Sequence, residues 1–177
     1  MFDCPIYIAA EDDEWTVRPN YNGARRLIAG AIEEIVPGVT AIKCGGHFPG
    51  SLVLHWDKKL FIADTFKIVP VSDLIPPSSL MVKQSADKCK SGLYHIDRPP
   101  GTTSFTFLWS YPNMIPLTPD AVFGIWKAIK PYEFDVTYDA FNGFEIKHSN
   151  VKHRVLESMK IQVKSSGWDQ HEILKEE

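Results

Sequence analysis

The sequence predicts a mixed α/β (α+β) domain, and three observations support this fold class. Several short apolar or alternating runs, separated by glycine, proline and aspartate, are typical of strands. Two longer segments repeat apolar residues at helical spacing. The chain has 177 residues, of which 44% are hydrophobic and 12% aromatic, which suits a single domain over 1–177.

The strands follow one another along most of the chain. The predicted strands are 4–10, 39–44, 51–56, 60–64, 103–109 and 134–138. The first is a short apolar run, CPIYIAA, and the third and fourth form a hairpin around the turn at 57–59. The fifth alternates Phe105, Phe107 and Trp109, which predicts that these three aromatic rings face the core.

A first helix is predicted after Thr118, which is a good N-cap residue, with Pro119 at the first helical position. Its apolar stripe consists of Val122, Ile125, Trp126 and Ile129. Pro131 ends it. A last helix, capped by Ser149 or Asn150, repeats apolar residues every four positions, at Val151, Val155 and Met159.

Three other segments are less regular. Residues 24–36 are compatible with a helix, although Gly30 in the middle disfavours it. Residues 70–101 contain five prolines and no sustained period, which predicts a long loop or insertion. Residues 167–177 are polar, and we expect a frayed tail there.

Composition excludes several classes of function. A formal net charge of −3 and the lack of a basic stripe argue against a nucleic-acid binder. The three cysteines, Cys4, Cys44 and Cys89, fit no zinc or CxxC spacing and are expected to be reduced thiols. No signal peptide or membrane span is visible, so we expect a soluble cytoplasmic protein without a membrane partner.

The most informative segment is GGHFPGSLVLHWDKKLFIADT, residues 45–65. Two glycines allow a sharp turn just before His47, and Pro49-Gly50 fixes the loop on its other side. The following hairpin returns the chain so that Asp64 ends a strand. An imidazole and a carboxylate placed in this way can bind one zinc or another divalent metal ion, so His47 and Asp64 are the candidate metal ligands.

This segment resembles the metallo-β-lactamase superfamily. The family motif His-x-Pro-Gly-Ser matches residues 47–51, and the Gly-Asp-Thr motif matches residues 63–65, with Ala63 in place of glycine. The resemblance extends through SYPNMIPL and KPYEFDVTYDAFNG. It implies a β-sandwich with flanking helices and a metal-dependent hydrolase that cleaves an ester, thioester or lactone-type bond in a small-molecule substrate.

Two family features are missing. The His-x-His-x-Asp-His motif is absent, which suggests an N-terminally incomplete fold, and the family's last histidine is replaced around 138–141. At most two of the usual ligands remain, so we expect that a second chain, as in a homodimer, supplies the others. The alternative is a degenerate, non-catalytic relative that binds a ligand or partner or self-associates, with no metal.

The other polar candidates have weaker claims to the site. Tyr111 and Lys67 are candidate substrate-binding residues, although packing or solvation also explains them. Asp12 and Asp13 follow a strand and either face the site or form a solvated cap. We expect His55 to be structural, His148 and His153 to lie on the surface, and Cys44 to be a buried thiol.

Overall fold

The computed structural model describes residues 4–16, 24–68, 105–141 and 143–177. The strands are β1 (Ile6–Ala9), β2 (Arg25–Ile28), β3 (Ile32–Val36), β4 (Val39–Lys43), β5 (Leu52–Trp56), β6 (Lys59–Ala63), β7 (Lys67–Ile68), β8 (Phe105–Thr106), β9 (Leu108–Ser110), β10 (Ile115–Pro116), β11 (Val136–Asp139) and β12 (Glu145–Lys147). The helices are α1 (Pro119–Ile129) and α2 (Val151–Ser165), with 3₁₀ turns at Ala10–Trp15 and Glu172–Lys175. The predicted loop at 70–101 lies outside the described residues.

A six-stranded sheet in the order β12-β11-β6-β5-β4-β3 forms the centre of the described structure. The β5–β6 hairpin is confirmed, and its turn places Asp57 and Lys58 at φ 44° and 57°. Two left-handed residues match the right-handed twist of the flanking strands. β11 runs parallel to β6. Because neighbouring parallel strands end at the same sheet edge, the residues that follow β6 and β11 are brought together.

The possible helix over 24–36 is not formed. β2 pairs in parallel with β1, and β3 pairs antiparallel with β4, so residues 24–36 are divided between two sheets. Gly30 and Ala31 form the bend between them. β3 and β4 form a hairpin around Pro37-Gly38, whereas β2 pairs with a strand from an earlier segment, and the hydrogen bonds of both pairings outweigh the weak helical pattern of the segment.

The predicted strand at 103–109 is interrupted at Phe107. The carboxamide of Gln162, on α2, accepts a hydrogen bond from the Phe107 N–H at 3.1 Å and donates one to its carbonyl at 2.8 Å. Phe105 and Phe107 are buried as predicted, but Trp109 is 57% exposed, so its prediction as a core residue is wrong. The break at Phe107 disrupts the strict alternation along the segment.

Both predicted helices are confirmed. The Thr118 hydroxyl accepts a hydrogen bond from the Ala121 N–H at 3.3 Å, and all four residues of the α1 stripe are buried. In α2 the apolar positions at Val151, Val155 and Met159 are also buried, although the Asn150 side chain makes no capping hydrogen bond. Neither helix of the described ranges is long and apolar enough to cross a membrane.

The C-terminal segment is packed against the domain, so the expectation of a frayed tail is wrong. Ile173 is completely buried. The Glu176 carboxylate accepts hydrogen bonds from the Trp126 indole N–H at 2.9 Å and the Lys130 ammonium at 2.6 Å. One apolar side chain and one charged anchor therefore fix a segment that is polar in composition.

Candidate functional site

The loop that carries His47 depends on two glycines with left-handed backbones. Gly45 has φ +64° and Gly46 has φ +90°, conformations that L side chains rarely adopt. A Cβ on Gly46 would also lie 3.0 Å from Leu117 Cδ1 and 3.1 Å from Ile125 Cδ1. The glycine pair therefore lets the loop turn while its backbone lies directly on the apolar side chains beneath.

Ser51 closes this loop from the other end. Its hydroxyl accepts a hydrogen bond from the Phe48 N–H at 2.8 Å, and its own N–H donates to the Phe48 carbonyl at 3.1 Å. The Ser51 carbonyl accepts from the N–H groups of Cys44 at 2.9 Å and Gly45 at 3.2 Å. Because Ser51 is buried, these hydrogen bonds are shielded from water and hold residues 44–51 as a rigid unit.

The 3₁₀ turn after β1 supports the same loop. The Asp12 carboxylate accepts a hydrogen bond from the Gly50 N–H at 3.2 Å. The Asp13 carboxylate instead accepts a hydrogen bond from the Arg25 guanidinium at 2.7 Å. Of the two acidic candidates, Asp12 thus contacts the loop backbone, whereas Asp13 forms a partly exposed ion pair.

The geometry of His47 defines which ring nitrogen is available to a ligand. Nδ1 lies 3.2 Å from the Leu108 carbonyl oxygen. A carbonyl oxygen can only accept, so Nδ1 carries the proton and Nε2 of the neutral ring retains its lone pair. The ring lies edge-on to Phe48 and to Tyr111, with centroid distances of 4.5 Å and 4.9 Å.

Tyr111 connects His47 to Asp64. Its hydroxyl donates a hydrogen bond to the Asp64 backbone carbonyl at 3.0 Å, while its ring contacts the His47 imidazole. Burial raises the pKa of the Tyr111 phenol, and the nearby negative charges of Asp64 and Asp139 raise this pKa further. The phenol therefore remains protonated and keeps its donor role. The Asp64 side chain is exposed at the end of β6.

The residue before Asp64 has an unusual backbone. Ala63 adopts φ +45°, the left-handed region that glycine occupies without strain. This is the position at which the resembled motif has glycine. The turn that follows is closed by the Thr65 N–H, which donates to the Ile62 carbonyl at 3.0 Å.

Asp139 was not among the predicted site residues. It ends β11 and is aligned with Ala63 on the neighbouring strand, so it lies at the same sheet edge as Asp64. One carboxylate oxygen accepts a hydrogen bond from the Ile68 N–H at 2.8 Å, and the other is buried without a partner in the described ranges. Burial raises the pKa of this carboxyl. The parallel strand order, which brings it here, could not be inferred from local sequence.

Lys67 adds a cation beside these groups. Its ammonium nitrogen lies 5.5 Å from the Tyr111 ring centroid and 4.2 Å from that of Phe141. Its positive charge lowers the pKa of Asp139, opposing the effect of burial. The two predicted substrate-binding residues, Lys67 and Tyr111, therefore lie in contact.

Three other described histidines and the Cys44 thiol make no hydrogen bond or ring contact with His47, Asp64 or Tyr111. The His55 ring is hydrogen-bonded to the Glu133 carbonyl at 2.9 Å, which confirms a structural role. His148 and His153 are exposed, as expected. Cys44 packs against the core, and burial raises the pKa of its thiol to about 12.

The donor set fits a metal ion only in part. Among the described residues no hydrogen bond is made to His47 Nε2, and the Nδ1–H is held by a backbone carbonyl, as in many metal-ligating histidines. However, the described portion of the chain contains no group of three His, Cys, Asp or Glu side chains that could hold a metal ion. Catalytic zinc sites normally have three protein ligands, so these residues can supply at most part of such a shell.

Comparison with known proteins finds similarity in sequence and in structure. The Bacillus subtilis (strain 168) protein described as "Uncharacterized protein YmaE" is 30% identical over 141 residues, which are 80% of this chain and 42% of YmaE. No family model matches the chain. The chain matches less than half of the length of YmaE.

Similarity to a solved structure defines the fold. A mutant flavo di-iron protein from Thermotoga maritima superposes with a TM-score of 0.51 and 9% identity, covering 90% of this chain and 37% of that one. That protein has a metallo-β-lactamase-type domain. The chain thus has a mixed α+β, metallo-β-lactamase-like fold, as the sequence predicted.

Proposed function

We propose that the chain carries part of a metallo-β-lactamase-type hydrolase site, in which His47 and Asp64 are metal ligands. The substrate would contain an ester, thioester or lactone-type bond. The observation that carries the proposal is the hydrogen bond between His47 Nδ1 and the Leu108 carbonyl, because it leaves Nε2 bare on a rigid loop. A divalent metal in such a site supplies activated water near neutral pH.

The local charges are consistent with a bound cation. Asp64 and Asp139 both raise the pKa of Tyr111, so both carboxylates act on the same region, and Lys67 is the ammonium beside them. A divalent cation would offset the excess of negative charge. Since the described residues supply too few ligands, we further propose that the missing ligands come from another segment or from a second copy in a homodimer.

The chain's own side chains would divide the remaining work. Tyr111 holds the Asp64 backbone and the His47 ring in a fixed relationship, as a positioning residue. Lys67 would bind an anionic or developing negative group of the substrate. The Phe48 ring makes the other edge-on contact with the His47 imidazole and would restrict rotation of the imidazole.

The second candidate function is a non-catalytic relative that binds a ligand or self-associates. It is favoured by the lack of a three-ligand group in the described ranges and by exposed apolar residues on the small parallel sheet. Ile6 on β1 is 58% exposed and Leu27 on β2 is 49% exposed. Within the described residues β1 and β2 pair only with each other, and an unpaired strand edge is a place to which another chain can add.

Metal titration separates the two candidates. Purified protein would be titrated with zinc, iron(II) and manganese(II) by calorimetry, followed by assays with nitrophenyl ester, thioester and lactone substrates. We expect stoichiometric binding that is weakened at least about tenfold in His47→Ala and Asp64→Asn. His153→Ala, an exposed histidine on α2, is the matched control.

The outcomes are distinct for the two functions. Metal-dependent hydrolysis that is lost in both ligand variants supports the hydrolase. Absence of stoichiometric metal binding in every preparation contradicts it and leaves the binding function. Light scattering on the same samples reports whether a dimer accompanies activity.

A further inference from the structure

A row of four aromatic rings leads from the surface to the candidate metal ligand. We define the aromatic row as Trp15, Phe48, His47 and Tyr111. Neighbouring ring centroids are 6.4 Å apart for Trp15 and Phe48, 4.5 Å for Phe48 and His47, and 4.9 Å for His47 and Tyr111. The row is therefore continuous with the site described above.

The outer half of the row is open to solvent. Trp15 is 68% exposed and Phe48 is 43% exposed. Large apolar rings that remain exposed side by side are a common feature of ligand-binding surfaces, because they lose water contact when a ligand covers them. Phe48 carries no polar group, so the surface has little to offer a strongly polar ligand at this point.

The two exposed rings are held in a fixed relationship although they come from different segments. Trp15 ends the 3₁₀ turn that contains Asp12, and Phe48 lies in the loop that contains Gly50. The hydrogen bond between the Asp12 carboxylate and the Gly50 N–H connects the turn to the loop. A surface that is already assembled binds a ligand without an additional ordering cost.

We infer that Trp15 and Phe48 select substrates in which an apolar acyl or aryl group adjoins the scissile bond. This inference rests on the proposed function. The apolar group lies across Trp15 and Phe48, and the carbonyl of the ester or thioester reaches the Nε2 side of His47. Short, fully polar substrates gain nothing from the outer half of the row.

The test uses methyl ketones, which keep the carbonyl and alkyl chain of an ester but have no bond to hydrolyse. Binding of 2-hexanone and 2-nonanone to the metal-free protein would be measured by NMR titration. Each methylene removed from water strengthens binding by up to about fourfold, so we expect 2-nonanone to bind at least about tenfold more tightly. Trp15→Ala and Phe48→Ala should each reduce this ratio to about threefold or less.

Two further variants control for indirect effects. Trp168→Ala removes an exposed tryptophan of the C-terminal segment and should leave the ratio unchanged. Phe48→Leu retains an apolar side chain in the loop and should preserve most of it. An unchanged ratio in the Trp15→Ala, Phe48→Ala double variant overturns the inference, as does the absence of chain-length dependence in the parent protein. Neither result requires metal or hydrolysis, so failure here is distinguishable from failure of the metal titration.

Discussion

Gly50→Ala is expected to disrupt the loop that carries His47, and its effect can be estimated from the structure. An added Cβ would lie 2.5 Å from Asp12 Oδ2 and 2.7 Å from Asp12 Cγ, and it would also meet the Cβ of Ala9. Real Cβ atoms essentially never show contacts under 3.0 Å, so the Asp12 carboxylate must move away and the loop must also shift relative to Ala9 at the end of β1. Gly50 does not have a left-handed backbone, and the effect is therefore steric.

The magnitude combines two contributions. Overpacking of a buried position costs about 1–3 kcal/mol. Displacement of Asp12 also weakens its charge-assisted hydrogen bond to Gly50, and such bonds contribute about 1.5–3 kcal/mol. Since both contributions reflect one displacement, we expect a total loss of about 2–4 kcal/mol, which lowers Tm by roughly 5–15 °C in a protein of this size.

Thermal and urea unfolding would measure this change, with two controls. Gly124→Ala has open space around its Cβ and lies within α1, so it should stabilise the protein by about 1 kcal/mol. Asp12→Ala in the Gly50→Ala background removes two of the three clashing atoms, so the double variant should be more stable than the sum of the single effects predicts. A Gly50→Ala protein whose stability is within about 0.5 kcal/mol of the parent would refute the reasoning.

Three other predictions concern single positions. Gln162→Ala should lower the free energy of unfolding by about 1–3 kcal/mol, because both backbone groups of Phe107 lose a partner, while Lys164→Ala stays within about 0.5 kcal/mol by urea unfolding. Ala63→Gly should raise the free energy of unfolding by about 1 kcal/mol, because glycine adopts a positive φ without strain. A lower free energy of unfolding in the same assay would contradict the inference that Ala63 is strained. Asp139→Asn should stabilise the protein at pH 7, because the raised pKa of Asp139 in the folded state makes its ionisation costly. This gain should vanish near pH 3, where the carboxyl is protonated in both the folded and the unfolded state. A gain in stability confined to acidic pH would contradict the raised pKa.

Local sequence patterns predicted much of the fold. The β5–β6 hairpin, the capped helix α1 and the glycine-framed loop before His47 follow from residues close together in the chain. β2 was missed because its partner, β1, comes from an earlier segment of the chain, and β3 was missed because the helical spacing over 24–36 obscured the local β3–β4 hairpin.

Within the candidate site, local motifs likewise revealed some residues, whereas contacts between separate segments could not be predicted. His47 and Asp64 could be found because each lies in a short motif with restrictive backbone geometry. The approach of Asp139 beside Ala63 depends on the parallel pairing of β11 with β6. The contact of Tyr111 with both His47 and Asp64 depends on how the segment after β9, which belongs to a separate two-stranded sheet, packs beside them. The assignment of His47 and Asp64 as metal ligands stays a prediction until metal binding is measured.

The pairing of Gln162 with the Phe107 backbone has a consequence for self-association. An interrupted strand with free N–H and C=O groups is a template for an incoming strand of another molecule. Here the Gln162 carboxamide pairs with both groups, and the Leu117 N–H also donates to the Phe107 carbonyl at 3.0 Å, so α2 and the segment after β10 together protect this position from intermolecular pairing. Loss of the carboxamide would thus expose the Phe107 N–H, while the carbonyl keeps its Leu117 partner, so a side chain remote in sequence shields one backbone donor of this strand from another molecule.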